Sequence, residues 1–178
     1  MDVGFIILCP DRNVGGLRNS VGGIRHRSYD RECLAVVPGD TSPKEIKEMK
    51  EHCPAVWKGK DTITSLINTG MKRVKQEWGF IIFAGSRIPA FIEKKFITFA
   101  NAPTDILFPV VERRFDFVSG SFNGVLINKE FFKKVGNFTE GDLQKQGMND
   151  FEMAKFLWSI TAIENGAMFK GIVGMRVI

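Results

Sequence analysis

The chain has 178 residues, a formal net charge of +5, 44% hydrophobic residues and 25% charged residues. These are ordinary values for a globular protein, and the sequence contains no repeat, low-complexity tract or long linker. We therefore expect one domain over residues 1–178, which buries about 70% of the surface of its unfolded chain. The modest charge fits an anionic small ligand about as well as nucleic acid. Because aromatic and basic residues do not cluster as in single-strand binders, we predict no nucleic-acid partner.

The three cysteines, Cys9, Cys33 and Cys53, do not have the spacing of a metal site. An odd number of cysteines without an export signal favours free thiols in a reducing compartment, which predicts a cytoplasmic protein. The apolar residues 3–9 are too short for a signal or a spanning helix, and no later apolar run could cross a bilayer. We therefore predict no integral membrane segment and expect each cysteine to be a small buried hydrophobe.

The first half of the chain alternates short apolar runs with helical patterns. Strands are predicted at residues 4–9, 33–37, 55–57 and 78–83. A helix is predicted in each interval between these strands. The first has apolar residues at helical spacing, namely Val14, Leu17, Val21 and Ile24. The second extends from 43 to about 51, and the third over 62–75. This order implies right-handed crossovers and a mainly parallel sheet.

The run 78–83 is apolar at consecutive positions, which is typical of a strand covered on both faces. Ligands of such sheets bind beyond the carboxyl ends of the strands, so residues 84–87 are the first place to look for function. The second half is predicted to contain helices at 90–99, 129–135 and 150–164, and strands at 106–111, 115–119, 124–127 and 168–177. The expected fold class is α/β, with a central mixed, mostly parallel sheet flanked by helices.

An ordered series of motifs extends along nearly the whole chain. Residues 10–13 (PDRN) follow the first strand, 36–42 (VVPGDTS) end the second, and 68–70 (NTG) lie in the helix before the central strand. Residues 132–138 (FKKVGNF) and 149–153 (NDFEM) follow in the second half. In this order the motifs resemble the family 2 glycosyltransferases, which have the GT-A, or nucleotide-diphospho-sugar transferase, fold. The resemblance implies a nucleoside-diphosphate sugar donor, a hydroxyl-bearing acceptor and transfer with inversion.

The resemblance also implies a donor site formed by the loops at the strand ends. Its expected residues are Pro10, Asp11, Arg12, Asn13, Asp40, Lys60, Asn68, Gly85, Ser86 and Arg87. Asp40 would accept a hydrogen bond from a base imide N–H, and Asp150 would be the catalytic base that deprotonates the acceptor hydroxyl. We expect Asp11, Asp40, Ser86, Arg87 and Asp150 to line one concave surface. From the residues alone, the loop at 11–13 could be an ordinary turn, and Asn149 and Asp150 could simply cap the last helix. Asp40 could equally be a solvated turn residue, and Arg87 a surface residue at a strand end.

The family ends its central strand in Asp-x-Asp, which holds the metal that carries the donor diphosphate. This sequence has Ala84-Gly85-Ser86 there, without a carboxylate, whereas a hard divalent cation usually needs one. Mn²⁺ or Mg²⁺ would be usual for the family, but its ligands are missing, so we predict no metal there. Arg87, with Lys60 as a second candidate, would neutralise the diphosphate instead. The missing motif leaves an alternative open, a catalytically inactive GT-A-like protein that binds a nucleotide or sugar.

Overall fold

The computed structural model describes residues 2–28, 32–88, 104–110, 122–140 and 149–173. In these ranges the strands are β1 Val3–Leu8, β2 Cys33–Pro38, β3 Ala55–Gly59, β4 Trp78–Phe83, β5 Ile106–Val110, β6 Val125–Asn128 and β7 Phe169–Val173. The helices are α1 Val14–Ser28, α2 Pro43–His52, α3 Ile63–Arg73, α4 Lys129–Val135 and α5 Asp150–Glu164. The predicted helix at 90–99 and strand at 115–119 lie outside the described residues. No described helix combines the length and the apolar composition needed to cross a membrane.

The strands form one sheet in the order β3-β2-β1-β4-β6-β5-β7. β1 pairs in parallel with β2 and β4, β2 pairs in parallel with β3, and β5 pairs in parallel with β7. Only β6 among the described strands is antiparallel to its neighbours, β4 and β5. The predicted mixed, mostly parallel sheet flanked by helices is therefore confirmed.

Helices cover both faces of the sheet and create a core on each. On one face, α1 and α2 contribute Leu17, Val21 and Met49. On the other, α3 and α5 contribute Leu66 and Trp158. The central strand β4 is buried between these cores, as its unbroken apolar run predicts.

A glycine brings α3 unusually close to the sheet. A Cβ atom built on Gly70 would lie 2.3 Å from Cγ2 of Ile6, which is fully buried in β1. Any larger residue at this position would overlap β1 unless the helix or the strand moved. Gly70 therefore sets the distance between α3 and the strand beneath it.

Candidate functional site

The loop after β1 and the turn after β2 are joined by an ion pair at the carboxyl edge of the sheet. The guanidinium of Arg12 contacts the carboxylate of Asp40, and both side chains are exposed to solvent. Arg12 has a φ of 54°, in the left-handed region that side chains other than glycine seldom occupy. Two residues that were predicted to contact the donor, 28 positions apart, therefore contact each other.

Asn13, in the loop after β1, lies directly before the first residue of helix α1. The side-chain oxygen of Asn13 accepts a hydrogen bond of 2.8 Å from the backbone N–H of Gly16, and its backbone oxygen accepts one of 2.9 Å from Leu17. Asn13 therefore has a capping role in this structure, as polar residues at helix starts often do. Pro10 is half-buried and Asp11 is exposed beside it.

The turn after β4 is held against α1 through its backbone. Gly85 has a φ of 95°, which glycine adopts without strain. Its N–H donates to the backbone oxygen of Gly16 at 2.9 Å and to Oγ of Ser20 at 3.0 Å. The Ser20 hydroxyl in turn donates to the backbone oxygen of Ser86 at 3.3 Å. These contacts fix the turn on the α1 side of the sheet.

The hydroxyl of Ser86 is occupied within the protein. Ser86 is only 7% exposed, and its Oγ lies 2.9 Å from Nδ2 and 3.1 Å from Oδ1 of Asn123. The same Oδ1 accepts a hydrogen bond of 3.0 Å from the backbone N–H of Phe83, so Asn123 also fixes the end of β4. Sequence reasoning did not identify Asn123, although its Asn-Gly pair is a turn signal. Arg87, the next residue, is exposed.

Six of the predicted site residues line three separate depressions of the described surface. The first, of about 490 Å³, contains Gly85, Ser86 and Arg87 and borders α1. The second, of about 660 Å³, contains Asp40 and Lys60 at the ends of β2 and β3. The third, of about 280 Å³, contains Asp150 and borders the start of α3. That these residues act on one ligand stays a prediction.

The depression at Asp40 contains a charged network that the sequence did not reveal. Nζ of Lys60 lies 3.1 Å from Glu140, and the side-chain amide of Asn68 donates to the same carboxylate at 3.1 Å. Burial alone would raise the pKa of Glu140, but these hydrogen bonds and the charges of Lys60 and Lys72 bring it below its usual range. Lys60 therefore already has an anionic partner, which a diphosphate would have to share or displace.

Asn68 is buried, and its hydrogen bonds connect α3 with the segment after α4. Its Nδ2 donates to the backbone oxygen of Phe138 at 2.8 Å, and its Oδ1 accepts from the N–H of Phe138 at 2.9 Å. With the hydrogen bond to Glu140, both the nitrogen and the oxygen of the Asn68 side chain have partners within the described structure. The predicted contact of Asn68 with a donor stays a prediction.

Asp150 is the first residue of α5. The preceding residue, Asn149, caps the helix, since its side-chain oxygen accepts a hydrogen bond of 2.9 Å from the N–H of Glu152. Asp150 is half-buried and shares its depression with Thr62, Thr64, Thr139 and Phe151, among others. Asn149 is therefore the helix cap, and the role of Asp150 as catalytic base stays a prediction.

The turn after β4 does not fit a divalent cation. Ala84 and Gly85 carry no side-chain oxygen, and the hydroxyl of Ser86 is engaged by Asn123. In the ranges that the structure describes, no group of three or more His, Cys, Asp or Glu side chains is placed to hold a metal ion. Hard cations prefer several oxygen ligands, usually including a carboxylate, which this turn does not supply.

The sequence matches no family model, and no curated protein matches it by sequence. Solved structures do match. The mannosyltransferase PcManGT from Pyrobaculum calidifontis, in complex with GDP-Man and Mn²⁺, superposes with a TM-score of 0.71 at 12% identity, covering 97% of this chain and 55% of that chain. A fragment of TarS from S. aureus, in complex with UDP-GlcNAc, superposes with a TM-score of 0.66 at 12% identity, covering 99% and 57%. The present chain thus spans little more than half the length of these two solved chains, and 36% of a longer solved chain of TarS. The chain has the GT-A fold of nucleotide-diphospho-sugar transferases.

Proposed function

We propose that the chain transfers a sugar from a nucleoside-diphosphate sugar to a hydroxyl acceptor, with inversion at the anomeric carbon. The main support is that the loops after β1, β2 and β4 and the start of α5 all lie at the carboxyl edge of a GT-A sheet. Ligands of open α/β sheets bind at this edge. PcManGT, which has the same fold, was solved with GDP-Man, and TarS with UDP-GlcNAc.

The direction of α5 supports a position of Asp150 at that edge. β7 runs parallel to β5, and it follows α5 after a short connection at residues 165–168. The end of α5 therefore lies near the amino end of β7. Its 15 residues span about 22 Å, so its start reaches the opposite edge. Thr62 and Thr64, at the start of α3, share the depression with Asp150, which agrees with this direction.

In the proposed reaction, the Asp150 carboxylate accepts the proton of the acceptor hydroxyl as the hydroxyl oxygen attacks the anomeric carbon. The bond between that carbon and the donor diphosphate breaks, and the diphosphate leaves with its negative charge. Arg87, Lys60 or backbone N–H groups would stabilise this charge by charge-assisted hydrogen bonds. We propose that the turn after β4 takes no part in metal binding, because its residues do not fit a divalent ion.

The test is to incubate the chain with UDP-, GDP-, CDP- and TDP-sugars, with EDTA or manganese, and to measure the released nucleoside diphosphate. Asp150→Asn should lower turnover by about 10²–10⁴-fold, the usual contribution of a general base, while nucleotide binding is retained. Glu164→Gln, at the other end of α5, is the matched control and should keep full turnover. If Asp150→Asn turns over at the parental rate, Asp150 is not the base.

A second candidate function is nucleotide or sugar binding without catalysis. It is favoured by the turn at Ala84-Gly85-Ser86, which lacks the carboxylates of the family motif. A bound nucleotide at a hundred times its dissociation constant should stabilise the protein by about 2.7 kcal/mol, which thermal unfolding detects. Stabilisation without release of nucleoside diphosphate from any donor would favour this candidate over the transferase.

A further inference from the structure

Two cysteines lie side by side at the amino edge of the sheet, opposite the candidate site. Cys33 is the first residue of β2, and Cys53 follows α2 directly, shortly before β3. β2 and β3 are parallel neighbours, with Leu34 opposite Ala55. Cys33 and Cys53 therefore lie on neighbouring segments of the chain, just before the residues at which the pairing of β2 and β3 begins.

Both side chains point to the same face of the sheet. Cys53 belongs to the core beneath α1 and α2, and Cys33 packs against that core. Sγ of Cys53 lies 3.5 Å from the backbone oxygen of Cys33 and 3.5 Å from that of Ala55. The register of β2 and β3 puts Cys33 opposite Pro54, one residue from Cys53. A spacing of about 4.8 Å between strands and about 3.3 Å along one gives a diagonal Cα separation of about 5.8 Å, within the 4.4–6.8 Å or so that disulfides span. A bond between the two sulfurs thus requires little movement of the backbone.

We propose that Cys33 and Cys53 form a reversible redox site, at which a peroxide oxidises Cys33 and Cys53 then closes a disulfide with it. Cys33 is half-buried and accessible to a small oxidant, whereas Cys53 is fully buried next to it. The more accessible thiol, Cys33, is oxidised first, and the buried Cys53 is held beside it to form the disulfide with the product. This site is independent of the proposed transferase function.

The electrostatic environment of the two thiols agrees with Cys33 as the cysteine that is oxidised first. The hydrogen bond from Cys53 lowers the pKa of Cys33, and the charge of Arg25 lowers it further, although burial and Glu32 oppose the shift. The same contact, together with burial, raises the pKa of Cys53. Cys9 differs from both, because burial raises its pKa to about 12. Since the thiolate is the reacting species, Cys33 should be the reactive cysteine.

The chemistry balances in two steps. The thiolate of Cys33 attacks one oxygen of hydrogen peroxide, the O–O bond breaks, and a sulfenic acid and hydroxide form. The sulfur of Cys53 then attacks the sulfenic sulfur, the S–O bond breaks, and water leaves with the proton of the Cys53 thiol. The hydroxide takes up the proton that Cys33 released. The two sulfurs lose two electrons, and the peroxide is reduced to two waters.

The test is to treat the reduced full chain with equimolar hydrogen peroxide, block free thiols and map the disulfides by mass spectrometry without reduction. A Cys33–Cys53 bond should form within one chain, independently of protein concentration, and dithiothreitol should reverse it. In Cys53→Ser, Cys33 should stop at a sulfenic acid that dimedone traps. In Cys33→Ser, neither remaining cysteine should react at a comparable rate. A bond that involves Cys9, or one that joins two chains, would overturn the proposal, and so would consumption of the peroxide without any disulfide.

A second measurement needs no substitution, and so it does not depend on whether a variant at the buried Cys53 folds. With limiting iodoacetamide at pH 7, Cys33 of the unmodified protein should be alkylated at least about tenfold faster than Cys53 and Cys9, because a thiolate reacts much faster than a thiol. Equal rates at Cys33 and Cys53 would contradict the assigned roles.

Discussion

The close approach of α3 to β1 predicts that Gly70→Ala destabilises the protein, although alanine is the better helix former. In an open helix this change would stabilise by about 1 kcal/mol. Here the new Cβ would lie 2.3 Å from Cγ2 of Ile6, well inside van der Waals contact. Ile6 is fully buried and β-branched, so its side chain has little freedom to turn away. Overpacking of a core costs typically about 1–3 kcal/mol, and because Ile6 cannot easily turn away we expect a cost near the upper end and a net loss of about 2 kcal/mol.

The assay is equilibrium unfolding in urea, followed by tryptophan fluorescence. Ile6→Ala removes the Cγ2 atom and should cost about 2–5 kcal/mol alone. If the clash is the cause, the double variant Ile6→Ala/Gly70→Ala should lose less than the sum of the single losses, by about 1 kcal/mol or more. Strict additivity of the two losses would refute the packing argument.

Gly22→Ala is the matched control within a helix. Apart from its chain neighbours and the backbone of its own helix, no described atom lies within 4 Å of the position that a Cβ on Gly22 would occupy, although Gly22 lies in the middle of α1. The helix propensity alone should then act, and stability should rise by about 1 kcal/mol. A Gly22→Ala variant as unstable as Gly70→Ala would mean that backbone conformation, not the contact with Ile6, decides both results.

Two further predictions concern the charged residues at the strand ends. Arg87→Ala should weaken nucleoside-diphosphate binding by about 1–3 kcal/mol, the scale of a hydrogen bond to a charged group, and leave nucleoside binding unchanged. Titration calorimetry measures both, and strong tightening by manganese with no effect of Arg87→Ala would contradict the idea. Glu140, whose pKa is lowered by Asn68 and Lys60, should stabilise the fold above pH 4.5 and lose that effect as the pH falls through its folded pKa. The stability gap between the parent and Glu140→Gln in urea should therefore shrink on acidification, and a constant gap from pH 7 to pH 3 would refute this assignment.

The elements that local signals define were predictable from the sequence. The final helix was predicted at residues 150–164 and is found at Asp150–Glu164, because its asparagine cap precedes it and Asn165-Gly166 ends it. The central strand was likewise predicted at its observed bounds, Trp78–Phe83. The third helix was predicted at 62–75 and ends earlier, at Arg73. In these cases the information lies within a few residues of the element.

The partners of the site residues could not be predicted, since they come from distant parts of the chain. Ser86 was considered as a ligand, but its hydroxyl meets Asn123, 37 residues later. Glu140 shows no local signal at all, yet it pairs with Lys60 and with Asn68, which lies 72 residues before it. Periodicity indicates which face of an element is buried, but it does not indicate which side chain lies opposite.

The reversed strand β6 explains how the two halves of the chain come to share one edge of the sheet. Because β6 is antiparallel to β4, it ends at the amino edge, where the N–H of Lys129 donates to the backbone oxygen of Glu77. The chain must then cross back along α3 before α5 can begin at the carboxyl edge. On this path the side chain of Asn68, in α3, forms hydrogen bonds of 2.8 and 2.9 Å with the backbone of Phe138. The buried amide of Asn68 thus fixes the segment after α4 against α3, on the side of the sheet where α5 also packs.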